Sequence, residues 1–148
     1  MVRKKHRYFV VRIQYANNCI DTSLKPFDVF RAIEAMVKEL YGDYGIAVYL
    51  FNVNVKYINP YTGIIFVQCS RDYHKEIRNC ITFIKFVKQK QCILTTMHVT
   101  ATIRSAERFL LRYNTDKMNL LYQKCKTPHE KQDLWDYMKT LGIENTIR

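Results

Sequence analysis

Apolar and polar side chains alternate from Tyr8 to Tyr15, with Phe9, Val11, Ile13 and Tyr15 on one side and Arg12 and Gln14 on the other. A period of two is that of a strand with one buried face. Asn17-Asn18 and Asp21-Thr22-Ser23 interrupt it, and Pro26 stands where a first helical turn tolerates proline. Phe30, Ile33, Val37 and Leu40 then recur every three or four positions, flanked by Met36 and Tyr41, which predicts an amphipathic helix. Gly42 fits the left-handed position beyond its last turn. Alternation returns from Ile46 to Tyr57. It places Tyr49, Phe51, Val53, Val55 and Tyr57 on one face of a strand and Asn52, Asn54 and Lys56 on the other. Asn59-Pro60-Tyr61-Thr62-Gly63 is a turn by composition, and Ile64 to Cys69 is a short apolar strand, so a hairpin with a five-residue connection is expected. Arg71 to Lys88 reads as a second helix with Tyr73, Ile77, Ile81, Ile84 and Val87 as its inner stripe. Ile93 to Ile103 reads as a fourth strand, with Met97, Val99, Ala101 and Ile103 facing one way and Thr96, His98, Thr100, Thr102 and Arg104 the other.

The order strand-helix-strand-strand-helix-strand is the split βαβ plan. The fold class is α+β, a ferredoxin-like or RNA-recognition-motif-like βαββαβ sandwich with a four-stranded antiparallel sheet. Two further helices are expected. One runs from Ser105 to about Cys125 and carries Phe109, Leu110, Tyr113, Leu120 and Leu121. The other starts at Thr127-Pro128-His129-Glu130, a capping box with proline at the first helical position. It continues through a stripe of Leu134, Trp135, Met138 and Leu141 and stops at Gly142. The expected organisation is one domain over residues 1–148, with a core at about 7–104 and a helical extension at about 105–142.

Composition fits a folded domain, with 48% hydrophobic, 14% aromatic and 25% charged residues and little Gly or Pro. Its charge changes the picture more: 24 Lys+Arg oppose 13 Asp+Glu, a net +11, which points to a polyanionic partner. The excess is uneven. Residues 1–20 carry +5, residues 21–45 carry −2, residues 71–91 carry +4 and residues 92–115 carry +2, with +1 in each remaining stretch. The mildly acidic first-helix region therefore suits a protein partner better than a phosphate backbone. The five cysteines lack the Cys-x-x-Cys spacing of zinc or redox sites, so reduced and mostly buried thiols in a nuclear or cytosolic protein are expected. No apolar run approaches the roughly 20 residues of a membrane helix, and the basic N-terminus lacks a signal-peptide apolar stretch. Secretion and a membrane location are not expected.

Arg3-Lys4-Lys5-His6-Arg7 is the sharpest local feature, with Tyr8 opening a strand directly after it. Such a run suits nucleic-acid contact or nuclear targeting, and a solvated tail is its bland alternative. Anchorage at one end favours an arm that reaches RNA. At the hairpin tip Tyr61 is placed to stack a base and Asn59 and Thr62 to bond phosphate or ribose hydroxyl. Plain turn chemistry accounts for the same residues. Arg104, Arg108 and Arg112 are spaced by four, one helix face, which suits a phosphate track. A solvated helix face, partly neutralised by Glu107, is the alternative. The third strand holds a single aromatic, Phe66, so arms, loops and helices are better RNA contacts than an open stacking sheet.

No catalytic constellation stands out. The four histidines, His6, His74, His98 and His129, share no metal-ligand spacing, and no glycine-rich phosphate loop is present. A non-catalytic RNA binder, a generic single-strand RNA-binding protein and a small ferredoxin-like hydrolase stay open at this level.

Five short motifs in order narrow the choice. They are Met1-Val2-Arg3-x-Lys5-x-Arg7-Tyr8, Gly42-Asp43-Tyr44-Gly45, Lys56-Tyr57-x-Asn59-x-Tyr61-Thr62-Gly63-Ile64, His98-Val99-x-x-Thr102-Ile103-Arg104 and Arg112-Tyr113-Asn114. Together, over residues 1 to about 125, they resemble the Pop-five/Rpp-fourteen family of ribonuclease P and ribonuclease MRP subunits. The resemblance implies a non-catalytic subunit of a ribonucleoprotein endoribonuclease that removes 5′ leaders from precursor tRNA and processes precursor rRNA. It implies that the RNA holds the catalytic Mg2+, with no cofactor bound by the protein. The implied partners are the ribonuclease P/MRP RNA, precursor tRNA, a TIM-barrel Rpp-thirty-type subunit and an Rpp-fourteen-type subunit, in the nucleus and nucleolus. Arg3, Lys5, Arg7 and Tyr8 then become the arm against the RNA, and Tyr61, Thr62, Gly63 and Arg104 become RNA or partner contacts. Thr100-Ala101 stand where the family often has glycine, and the chain ends Glu144-Asn145-Thr146-Ile147-Arg148 without the acidic tail of some relatives.

Overall fold

The computed structural model describes residues 4–17, 21–125 and 127–140. The chain forms two compact units, Met1–Ala106 and Glu107–Arg148. The first contains β1 (His6–Tyr15), α1 (Pro26–Tyr49), a 3₁₀ turn (Leu50–Asn52), β2 (Asn54–Asn59), β3 (Ile64–Ser70), α2 (His74–Phe83), β4 (Phe86–Val87) and β5 (Lys90–Thr100). Its strands form a mixed-length antiparallel sheet in the order β2-β3-β1-β5-β4. This is the ferredoxin-like α+β plan with one strand more than the sequence predicts.

β1 lies at the centre because both of its edges are paired, Phe9 with Val67 and with Val99. Its alternation places Phe9, Val11 and Ile13 in the core with Ile65, Val67 and Cys69 of β3 and Cys92 and Leu94 of β5. Val29, Ile33 and Val37 of α1 and Ile77, Cys80 and Ile81 of α2 close the other side of that core. Each fully buried aliphatic chain contributes about 1.5–3 kcal/mol of transfer free energy. Leu40, expected in the stripe of α1, is instead exposed, and Val29 takes the inward position.

The expected strand from Ile46 to Tyr57 is shorter. Gly42 takes the positive φ expected of it, at φ 64° and ψ −157°, and breaks the helical backbone there, but a second helical stretch follows directly and runs to Tyr49. The alternation of aromatic and aliphatic residues there fits either period, and packing decides. Tyr49 stands edge-on to Tyr41 at 5.0 Å, a contact between residues eight apart that the bend at Gly42 makes possible, since a straight helix would hold them about 12 Å apart. β2 carries a register shift between Val55 and Tyr57, so Val55 packs on the core while Tyr57 meets Phe66 on the opposite face, at 5.4 Å. Tyr57 and Val55 therefore do not share a face, as simple alternation predicts.

The second helix also stops early. α2 ends at Phe83, and Phe86–Val87 pairs with Lys90–Gln91 as the fifth strand. Ile84 and Val87 are buried as expected, but from extended backbone beyond the helix end and not from a helical stripe. Lys88 and Gln89 form the two-residue connection with φ of 53° and 64°, the primed-turn conformation usually signalled by Asn-Gly. Lys88 Nζ reaches the Ser23 carbonyl at 2.9 Å and Asp28 at 3.4 Å, ties that hold a turn without its usual residues.

β5 begins at Lys90 and ends at Thr100, and a register shift opposite Val10/Val11 resets its alternation near Met97. Ile103 and Arg104 consequently belong to the next helix, not to the strand. The helix α3 (Ile103–Lys124) starts in the first unit and continues into the second, where α4 (Pro128–Thr140) follows it. The expected capping box is present: Glu130 N–H donates to Thr127 Oγ1 at 3.4 Å, and Thr127 N–H donates to Glu130 Oε2 at 3.5 Å. Leu141 and Gly142, and the side chains of Leu134, Trp135 and Met138, lie outside the described residues. Among the described residues no helix is long and apolar enough to cross a membrane.

One ion pair staples the loop after β1. Asp21 lies 2.8 Å from Lys90 Nζ and accepts the Ser23 hydroxyl at 2.7 Å. Lys90 first, and Ser23 next, hold the carboxyl at about 2, below its ordinary 3.8. A lowered folded-state value stabilises the fold above the ordinary value, and that contribution disappears as the pH falls from about 4 toward 2. Asp21→Asn is expected to flatten the acid limb of a melting-temperature series over this window. An acid limb identical to that of the parent chain would remove the pair from the stability account.

Candidate nucleic-acid interface

The basic arm is anchored as its sequence suggests. Lys4 and Lys5 are exposed, and β1 begins with the next residue. The Lys5 carbonyl accepts the Arg71 N–H at 2.9 Å, so β3 and the start of α2 lie beside the arm. Lys4 Nζ sits 5.0 Å from the centroid of the Phe51 ring. Arg7 is half-buried and donates to the His6 carbonyl at 3.2 Å. Tyr8 pairs with Gln68 and Thr100, and alternation turns it away from the Phe9 side of the sheet. Arg3 lies outside the described residues.

The hairpin tip is elsewhere. Gly63 N- and C-terminal neighbours fold back on the far end of β1, where the Ile13 N–H donates to the Gly63 carbonyl at 2.8 Å. Ile13 is eight residue steps along the strand from Lys5, about 26 Å at 3.3 Å per residue. Asn59, Tyr61 and Thr62 therefore do not join Lys4, Lys5, Arg7 and Tyr8 in one local patch. Asn59 Oδ1 accepts the N–H groups of Tyr61, at 3.1 Å, and Thr62, at 3.4 Å. That oxygen is committed to the turn. Tyr61 remains exposed, with space for a stacked base.

Arg104 follows β5, whose last residue pairs with Tyr8, so it lies toward the arm end of the sheet. Arg104 is the second residue of α3 and so shares a helix with the other two arginines of the row. Arg104, Arg108 and Arg112 are successive i,i+4 positions of one helix, and all are exposed. Arg108 and Arg112 belong to the second unit.

The sheet surface facing away from α1 and α2 offers little stacking area. Phe66 is 5% exposed, Val10 and Ile64 are buried, Tyr8 is half-buried, and among the described aromatics of this face only Tyr57 is exposed. The cation map changes as well. Lys88 and Lys90, which swell the charge of residues 71–91, are bound to Asp28 and Asp21. Arg71, Lys75 and Arg78 remain exposed beside the arm. Inspection of motifs passes over these three, although the charge excess of their segment signals them.

The buried thiols are packing groups. Burial pushes Cys69 up to about 12 and Cys80 up to about 11, and it raises Cys92 too, so all three are protonated at neutral pH. Among the described residues no group of three or more His, Cys, Asp and Glu side chains is arranged to hold a metal ion.

Comparison with known proteins places this architecture. The family model described as the Rpp14/Pop5 family matches residues 7–111. "Ribonuclease P/MRP protein subunit POP5" of Danio rerio is 32% identical over 145 residues, covering 90% of this chain and 83% of that protein. The Homo sapiens protein of the same name is 28% identical over 136 residues, covering 89% and 83%. The Schizosaccharomyces pombe one is 26% identical over 128 residues, covering 80% and 92%. A chain in the cryo-EM structure of yeast ribonuclease MRP superposes with a TM-score of 0.55 at 8% identity, covering 84% of this chain and 99% of that one, a likeness of fold. On the family match and the Danio rerio relative together, this chain belongs to the Rpp14/Pop5 family.

Proposed function

We propose that this chain is a non-catalytic protein subunit of a ribonuclease P/MRP-type ribonucleoprotein, where it binds and positions the RNA core. The observation that carries the proposal is the family match over residues 7–111, which spans β1, the hairpin and the start of the arginine row. The relatives in that family bear the names of ribonuclease P/MRP subunits. In this proposal the arm from Arg3 to Arg7 and the exposed Arg104, Arg108 and Arg112 neutralise phosphates. Guanidinium groups suit that task because their forked donors match two phosphate oxygens at once.

The RNA of the particle would hold the catalytic Mg2+, and the protein would set its geometry by charge neutralisation. The reactions would be removal of 5′ leaders from precursor tRNA and cleavage of precursor rRNA, in the nucleus and nucleolus. A TIM-barrel Rpp-thirty-type subunit and an Rpp-fourteen-type subunit would be its protein neighbours. The mildly acidic stretch of residues 21–45, four of whose five acids precede Gly42, supports a protein neighbour rather than RNA on the part of α1 before its bend.

Depletion of the protein in cells tests the proposal. Precursor tRNAs with unremoved 5′ leaders are expected to accumulate, read by primer extension of several tRNAs. Normal 5′ ends at full depletion would sink it.

A further inference from the structure

Beyond its bend at Gly42, α1 continues to Tyr49 and runs into the 3₁₀ turn Leu50–Asn52. Positions 44, 47 and 51 recur at spacings of three and four and fall on one side. All three are exposed, with Tyr44 at 70% and Phe51 at 73% and the small Ala47 between them. Two open aromatic rings about two helical turns apart are costly to leave against water. They are also held in place. Tyr44 contacts Tyr49 at 6.3 Å, and Tyr49 packs on Tyr73 at 5.1 Å, just ahead of α2. Phe51 carries Lys4 above its ring.

The same end of the fold gathers positive charge. The Lys5–Arg71 backbone hydrogen bond joins the arm to the approach of α2. Because Ile77, Cys80 and Ile81 turn inward, α2 presents Lys75, Arg78, Asn79 and Thr82 outward. The described ion pairs involve none of Lys4, Lys5, Arg71, Lys75 and Arg78. Asp43, Asp72 and Glu76 are the acids within residues 42–52 and 71–83, and Glu76 is half-buried with its Oε2 inside the protein. The cations therefore outnumber the acids at the surface. Exposed aromatic faces interleaved with cations that no carboxylate neutralises among the described ion pairs are the pattern of a single-strand nucleic-acid site, because every unpaired base offers a face to stack and every nucleotide a phosphate.

We propose that this end of the fold is a single-stranded RNA site, in which Phe51 and Tyr44 stack unpaired bases while Lys4, Lys5, Arg71, Lys75 and Arg78 hold the phosphates. The proposal rests on the RNA-binding reading above and adds to it a location and a ligand class. Bases inside a duplex already stack on one another and cannot lie on Phe51, so an unpaired segment is the preferred ligand.

Fluorescence anisotropy with the full chain tests this, using a labelled oligouridine of about a dozen nucleotides and a blunt RNA duplex of similar length. Phe51→Ala is expected to weaken oligouridine binding ~5- to 100-fold, with little change for the duplex and no change in salt slope. Phe51→Trp is expected to retain binding. Lys75→Gln with Arg78→Gln is expected to lower the oligouridine salt slope by about 1.4. Phe51 is largely exposed, so an unaltered melting curve should accompany each result. If the parent chain binds oligouridine and both variants bind it equally well, the site is not here and only this inference falls. A parent preference for the duplex, undiminished by Phe51→Ala, overturns it too. If the parent chain binds neither probe, the RNA-binding reading falls and takes this one with it.

Discussion

Replacing Arg3, Lys5 and Arg7 together by alanine is expected to weaken binding to the particle's RNA by about 10- to 100-fold near physiological salt. The more telling change is in the salt dependence. Each phosphate neutralised releases bound counterions, which contributes about 0.7–0.9 to the log–log slope. Loss of three contacts should flatten that slope by roughly 2–3. The geometry explains why this short run counts. A free basic tail adds only a screened, averaged attraction. Here β1 starts at His6, and Lys5 is tied to Arg71 through its carbonyl, so Lys5 and Arg7 stand on backbone that the sheet holds in place. Filter binding across a series of salt concentrations measures both quantities. A slope equal to that of the parent chain would leave the arm with a targeting role.

The second large effect concerns the hairpin. Gly63 has φ +66°, and a Cβ placed there would lie 2.6 Å from the Ile13 carbonyl oxygen. Gly63→Ala must therefore adopt a left-handed backbone that costs about 1–2 kcal/mol and also push the hairpin off β1. The Ile13 N–H bond to the Gly63 carbonyl lies in the path of that shift. A combined destabilisation of about 3 kcal/mol is expected, a fall in melting temperature of ~10 °C for a unit of this size. Thermal denaturation followed by circular dichroism reads it directly. A drop of only a degree or two would mean that the hairpin leaves β1 without cost, and that its contact with Ile13 contributes nothing to stability. The comparison separates two kinds of residue: the arm variant should lose RNA and keep its melting temperature, whereas the Gly63 variant should lose stability first.

Several parts of the structure are readable from local pattern because one local force sets them. β1 alternates cleanly, and its inner residues Phe9, Val11 and Ile13 are those the period selects. Pro26 opens α1, and the Thr127–Glu130 pair opens α4, because both signals act within a single turn. The errors arise where two periods fit the same residues. Residues 46–53 are apolar enough to alternate as a strand, yet Tyr49 gains more by packing on Tyr41 and Tyr73 from a helix. Ile84 and Val87 suit a helical stripe, but their backbone is extended and leads into a fifth strand. The turn that makes this strand possible uses Lys88 and Gln89 in left-handed conformations, held by Ser23 and Asp28 far away in sequence.

The candidate site divides in the same way. Composition and order of residues alone determine the net positive charge, the basic arm, the arginine spacing and the membership of the family, since each depends only on which residues follow which. Which of those charges are available, and which stand together, depends on pairings between distant segments. Only the tertiary structure neutralises Lys88 and Lys90, sends the hairpin tip to the opposite end of β1 from the arm, and brings Phe51 under Lys4 beside the basic face of α2. The physical reason is that a charge or ring acquires its environment from neighbours chosen by sheet register and core burial. Both are set by the cooperative packing of β1 against β3 and β5, which no single stretch of this chain contains.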